Sequence, residues 1–198
     1  MKFYFSILLL LVCSCNEKKP KIFTNSDDSK TPTIFHSKTS QGFDLKQDTL
    51  FLNQKKYSGF VYQLFPNQKD TLSVEGYLDG VLNGVAKKYY ANKQLMESRS
   101  YKKGKKHGEQ IAFWKNGKKR FEFTAVYDVY EGELKEYSED SHLFHLATYK
   151  NGQEEGTQKM WYDNGKIKAN YVIRNGKRFG LLGTKNCKNV SDSVFVAK

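Results

Sequence analysis

The chain has 198 residues and a formal charge of +12, from 33 Lys and Arg against 21 Asp and Glu. Only 38% of it is hydrophobic while 15% is aromatic, so burial must come from rings more than from Leu, Ile and Val, which suits a sheet. Two of the 3 cysteines stand within the first fifteen residues, which excludes an internal disulfide framework.

Met1 to Cys15 carries one lysine, then an apolar run too short to cross a membrane, then small residues. That order predicts a secretory signal peptide over residues 1–14. Its end, Val12-Cys13-Ser14-Cys15, resembles the lipobox of bacterial lipoproteins. The resemblance implies cleavage before Cys15 and acylation of its thiol and new amino group. Several acyl chains on one residue anchor stably where one would not. The alternatives are a plain cleaved signal and an N-terminal anchor helix.

Residues 15–42 are polar, rich in Ser, Thr and Lys, and hold Pro20 and Pro32. They read as a flexible tether, with Lys18, Lys19 and Lys21 beside the lipid and within reach of anionic head groups.

From there the chain repeats itself. Glycines stand at 84, 108, 132, 156 and 180, a spacing of 24, and Gly59 precedes them by 25. A fixed period of this length marks a repeat architecture. With the leading glycine as position zero, positions five and six hold aromatic pairs: Tyr89-Tyr90, Phe113-Trp114 and Trp161-Tyr162. Position eight is Asn67, Asn92, Asn116, Asp140 or Asn164, and Gly117 and Gly165 follow two of these. Asn-Gly between apolar-containing runs predicts a hairpin closed by a type I′ turn, which needs positive φ at both residues.

After each turn the apolar residues alternate. Phe121, Phe123 and Ala125 share one face, as do Leu143, His145, Ala147 and Tyr149, and Ile167, Ala169, Tyr171 and Ile173. A period of two predicts half-buried strands. Second turns follow at Asp79-Gly80, Lys103-Gly104, Asn151-Gly152 and Asn175-Gly176. Each unit is therefore strand, turn, strand, turn, with no helical period. A stripe at position five (Leu64, Tyr89, Phe113, Tyr137, Trp161) is expected to cross the sheet, ring on ring. It reads first as packing and second as a candidate interaction stripe.

Asn-Gly-Lys at 116–118 and 164–166, the aromatic pairs before them, and the Gly-x-x-x-Gly joints at 80/84, 104/108, 152/156 and 176/180 resemble the MORN-repeat family. They resemble its variant form in bacterial secreted proteins and in YwqK-like antitoxins. Asp128 replaces the first glycine of one joint. The likeness covers about residues 53 to 180. It implies membrane association, protein contact or scaffolding. The antitoxin label implies a cytoplasmic partner, which conflicts with the export signal.

The array needs closed ends. Residues 48–64 read as an opening hairpin, and 184–198, with Cys187, as a cap or tail. No catalytic set emerges. His142 and His145 are three apart on a presumed strand and face opposite ways, and Glu154 and Glu155 are neighbours in a turn. No metal, cofactor or nucleic-acid site is expected. The positive charge suits the solubility of a thin sheet, or attraction to an anionic surface.

The expected fold is an all-β antiparallel meander of hairpins forming an elongated, curved sheet over residues 43–183. The expected function is that of a non-enzymatic bacterial lipoprotein. It would be membrane-anchored on the periplasmic side or cell surface and would bind a protein or an anionic envelope surface. The alternatives are a structural spacer and an antitoxin-like partner of a toxin.

Overall fold

The computed structural model describes residues 30–183. The signal peptide, Cys15, the first half of the tether and the tail with Cys187 lie outside the described residues. Within them the chain is all-β and holds no helix. The strands are β1 (Phe35–Ser37), β2 (Phe43–Lys46), β3 (Thr49–Leu52), β4 (Lys55–Lys56), β5 (Gly59–Leu64), β6 (Thr71–Leu78), β7 (Val81–Leu82) and β8 (Gly84–Tyr89). They continue as β9 (Leu95–Lys102), β10 (Lys105–Phe113), β11 (Lys119–Val126), β12 (Val129–Tyr137), β13 (Leu143–Lys150), β14 (Gln153–Trp161), β15 (Ile167–Arg174) and β16 (Lys177–Leu181). From β5 onward each long strand pairs antiparallel with the next, giving one open 13-stranded sheet.

The N-terminal end differs from the sequence reading in two ways. Residues 35–37, expected in the tether, form β1 and pair parallel with β5, Phe35 stacking on Phe60 at 5.0 Å. The expected opening hairpin does not form either. β3 pairs with β2 and β4 in a separate three-stranded sheet, while β5 turns to β1 and β6. Tyr57 joins the two sheets. It is buried, meets Phe43, His36 and Tyr77 edge-on, and its hydroxyl donates to the carbonyls of Phe60 at 3.0 Å and Ile34 at 3.3 Å. A ring with a polar tip suits a seam where two sheets meet and three backbone segments converge.

Gly59 and Gly84 start β5 and β8, but the later leading glycines sit inside their strands. Gly108, Gly132 and Gly156 lie within β10, β12 and β14 at φ of 99°, 77° and 84°. The strand pairing shifts register beside each of them, for example between Lys106 and Gln110. A positive-φ residue within a strand is a bulge, and glycine takes it without a Cβ penalty. This is why the 24-residue period is marked by glycine.

One face carries the buried side chains of the paired strands: Val61, Ser73, Gln110, Ala112, Ala125, Ala147, Gln158, Ala169 and Ile173. Small residues oppose large ones across it, Ala112 against Phe121 and Ala169 against Met160. The alternation read from the sequence therefore names the correct face. Two glutamines recur there at matched places. Gln110 donates to the Ser100 carbonyl and Gln158 to the Thr148 carbonyl, each at 2.8 Å. Along this face Arg99 lies over Phe121 at 4.7 Å while it donates twice to Glu97.

Candidate functional site

The hairpins that follow Tyr89-Tyr90, Phe113-Trp114 and Trp161-Tyr162 turn after an aromatic pair, and these turns, with those after Leu64-Phe65 and Tyr137-Ser138, line one edge of the sheet. The turns at Asn116-Gly117 and Asn164-Gly165 are tight, but they are not the expected two-residue type. Gly117 donates to Trp114's carbonyl at 2.9 Å, and Trp114 donates to Lys118's carbonyl at 2.8 Å; Gly165, Tyr162 and Lys166 do the same. Of each pair only the glycine has positive φ, 83° at Gly117 and 77° at Gly165. This is a three-residue loop, a type I turn followed by a glycine bulge. The asparagine decides it, because its Oδ1 accepts from the backbone N–H two residues on, Lys118 or Lys166, at 3.0 Å. That bond holds Asn in the right-handed region. Lys93 and Ser141 take the glycine's place at φ of 68° and 72°. The type I′ geometry belongs to the opposite edge, where Asn151-Gly152, Asn175-Gly176 and even Tyr127-Asp128 have positive φ twice. The extra residue after Gly59 is also placed. Phe65 closes its turn on Asp70, one residue further than Tyr90 closes on Gln94.

The position-five residues Tyr89, Phe113, Tyr137 and Trp161 end β8, β10, β12 and β14, half-buried, at the register shift beside each turn. Among the described residues no ring contact joins one of them to the next. The ring-to-ring path across the sheet runs elsewhere, from Phe123 to Tyr130 at 4.8 Å and from Tyr130 to Tyr149 at 5.1 Å. The stripe is linked through its carbonyls. Tyr90 donates its hydroxyl to the Phe113 carbonyl at 3.0 Å, and Trp114 donates its indole N–H to the Tyr137 carbonyl at 3.0 Å. The asparagines add a second rung, Asn92 to the Lys115 carbonyl and Asn116 to the Glu139 carbonyl, each at 3.0 Å. The turns at 90–94 and 114–118 thus each grip the next through a donor at position six and a donor at position eight, whereas at the first turn Phe65 has no donor and Asn67 donates to Asp70 within its own loop. This tie was not legible beforehand. Its only trace was that both positions carry donors at a 24-residue spacing.

The next junction departs from this pattern. The unit that starts at Gly132 has Ser138 at position six and Asp140 at position eight. Serine is too short to span the gap, and a carboxylate cannot donate. Ser138 instead accepts from the His142 N–H at 3.1 Å. Among the described residues no side chain donates to the carbonyl of Trp161 or Asp163. The untied turns leave a groove of about 650 Å³ lined by Ser138, Asp140, His142, Phe144, Trp161 and Asp163 among others.

Ionisable groups elsewhere are explained by their structural partners. Burial raises the Glu97 carboxyl, but N–H bonds from Lys88 and Arg99 hold it below the usual range. Glu122 likewise stays low, its burial outweighed by Lys119 and the Tyr137 hydroxyl. Tyr137 in turn is pushed up to about 12, by burial first and then by its 2.8 Å bond to Glu122. His145 bonds Glu136 at 2.7 Å, and Glu154 and Glu155 lie within β14 rather than in a turn. No group of three or more His, Cys, Asp or Glu side chains among the described residues is placed to hold a metal.

A sheet of successive hairpins, not closed into a barrel among the described residues, is a β-hairpin repeat array. Three of the units match the family model for the MORN repeat variant, over residues 82–103, 130–151 and 154–172. The unit at Gly108 lies between the first two in phase with both. No curated protein matches the chain. Two solved structures are similar to it: a crystal structure of an S. aureus TarM mutant in complex with Fondaparinux, alpha-GlcNAc-glycerol and UDP, at 17% identity and TM-score 0.30, and a crystal structure of TarM, at 16% and 0.29. Each match covers 50% of this chain and 20% of the other. A likeness that loose carries no inference about function.

Proposed function

We propose that the protein is a non-enzymatic interaction module, held at the bacterial cell envelope by lipid on Cys15, with its repeat array offered to a protein partner. The observation that carries the reading is the groove between the turns at 138–142 and 162–166. It is a concavity in an array whose two preceding turn junctions are tied shut. The perturbed carboxylates and tyrosines all answer to burial or to ion pairs that hold the sheet together, which suits a scaffold better than acid–base chemistry. Support for the anchor is the Val12-Cys13-Ser14-Cys15 stretch at the end of a signal-like run. A polar tether would then stand the sheet off the membrane.

The test is envelope fractionation with crosslinking, on the wild type and Cys15→Ser. The wild type should sediment with membranes and crosslink to a defined partner, and Cys15→Ser should move to the soluble fraction. Membrane sedimentation that survives the substitution removes the anchor. A wild type that crosslinks to nothing reduces the protein to a spacer.

A further inference from the structure

We propose that the groove beside Phe144 is a docking site for an arginine side chain on a basic loop of a partner protein. The proposal rests on reading the chain as an interaction module and names the chemistry that module recognises. Equivalent positions in three units differ in a way that points to this occupant.

In the unit starting at Gly108, Arg120 lies over the Trp114 ring at 4.9 Å, and Trp114 donates to the next unit's Tyr137 carbonyl. In the unit starting at Gly156, Lys168 lies over the Tyr162 ring at 5.9 Å. The cation stands twelve residues after the leading glycine and the ring six after it. The unit starting at Gly132 reverses both. Ser138 takes the ring's place and Phe144 the cation's. The ring is missing, so a cavity opens. The cation is missing, so the Phe144 face is left 36% exposed beside it. The third change, Asp140 for Asn, removes an amide donor and adds a negative charge.

These changes define what fits. An occupant must donate to the Trp161 carbonyl, and to the Asp163 carbonyl two residues on, which replaces the two missing rungs. It must bear positive charge, because Asp140 and Asp163 line the groove and no Lys or Arg does, in a chain whose formal charge is +12. It must present a flat face to Phe144. Guanidinium meets all three conditions. It is planar, always charged, carries five N–H donors in a fixed fork and stacks on rings. An ammonium offers a point charge without the plane or the fork. A bare metal ion is a poorer fit, since the described residues place no cluster of three ligating side chains.

The test is an NMR titration of the full chain with the peptide acetyl-Gly-Arg-Gly-amide and its lysine counterpart. The readouts are the Trp161 indole N–H and the backbone N–H signals of residues 138–144 and 162–166. Two variants accompany it. Ser138→Trp refills the cavity, and Asp140→Asn restores the amide and removes the charge. Ser138→Trp gives up the bond from the His142 N–H while Asp140→Asn keeps the side chain's size, so a thermal melt of each checks that it is folded. The arginine peptide should give saturable shifts confined to the groove, with the lysine peptide and both variants about tenfold weaker or more. The proposal is overturned if either folded variant binds as the wild type does, if lysine matches arginine, or if the shifts scatter over acidic residues around the sheet. The titration involves no membrane, so it can fail while the Cys15 anchor stands, and the reverse.

Discussion

Asn116→Asp tests the turn-to-turn tie at a single atom. Asn116 makes two bonds: its Oδ1 accepts from Lys118 within its own turn, and its Nδ2 donates to the Glu139 carbonyl in the next, each at 3.0 Å. Aspartate keeps the first, since a carboxylate accepts as well as an amide, and the turn and Gly117 are undisturbed. It loses the second and sets a carboxylate against a carbonyl. Both groups are exposed, so the lost bond lies at the low end of the usual range, and with the added repulsion the total is about 1 kcal/mol. For a folded part of this size that lowers Tm by about 2–4 °C. Circular dichroism melts give the shift, and hydrogen exchange at the 138–142 turn shows where it falls. Acid should reverse the effect, because a protonated carboxyl can donate again once pH drops below about 4. An unchanged Tm at neutral pH, or a loss that is the same in acid, would refute the view that the units are tied through this edge.

Tyr57→Phe keeps the ring in the seam between the two sheets but removes the donor to Ile34 and Phe60. It should destabilise by about 1 kcal/mol, measured by urea unfolding, because the Phe60 carbonyl loses the hydroxyl while the Ile34 carbonyl keeps the Phe60 N–H. Gly108→Ala forces a side chain onto φ of 99° with its Cβ 3.3 Å from Ser100. It should cost about 1–3 kcal/mol and more than Gly132→Ala, where nothing lies within 4 Å; equal losses would mean that only φ matters. Stability should also fall at both pH extremes. The depressed carboxyls of Glu97 and Glu122 bind protons more readily unfolded, so their contribution is present above 4.5 and drains as pH falls through and below it. The raised Tyr137 hydroxyl acts oppositely, its contribution intact below 10.0 and lost as pH climbs toward 12. Tyr137→Phe should therefore flatten the alkaline loss and weaken the acid one, as read from melts across pH.

The period, the strands and the inward face were all legible in the residues, because each is a local property. Alternation assigns a strand's faces whatever its neighbours do, so Phe121, Phe123, Ala125, Ala147, Ala169 and Ile173 could be placed together from the chain alone. The 24-residue glycine spacing showed that one hairpin recurs, and Asn-Gly showed where it turns. What the glycines do was not legible. A glycine opening a strand and a glycine bulging within one leave the same letter in the sequence, and only the register between partners separates them. The turn type was likewise settled by the asparagine's bond to its own backbone. The ring path and the ties between turns join residues in different units, so they exist only once neighbouring hairpins are laid side by side. The groove depends on that most of all. Ser138 and Asp140 look like ordinary turn residues until Trp114 and Asn116, one unit away, show which two bonds are missing.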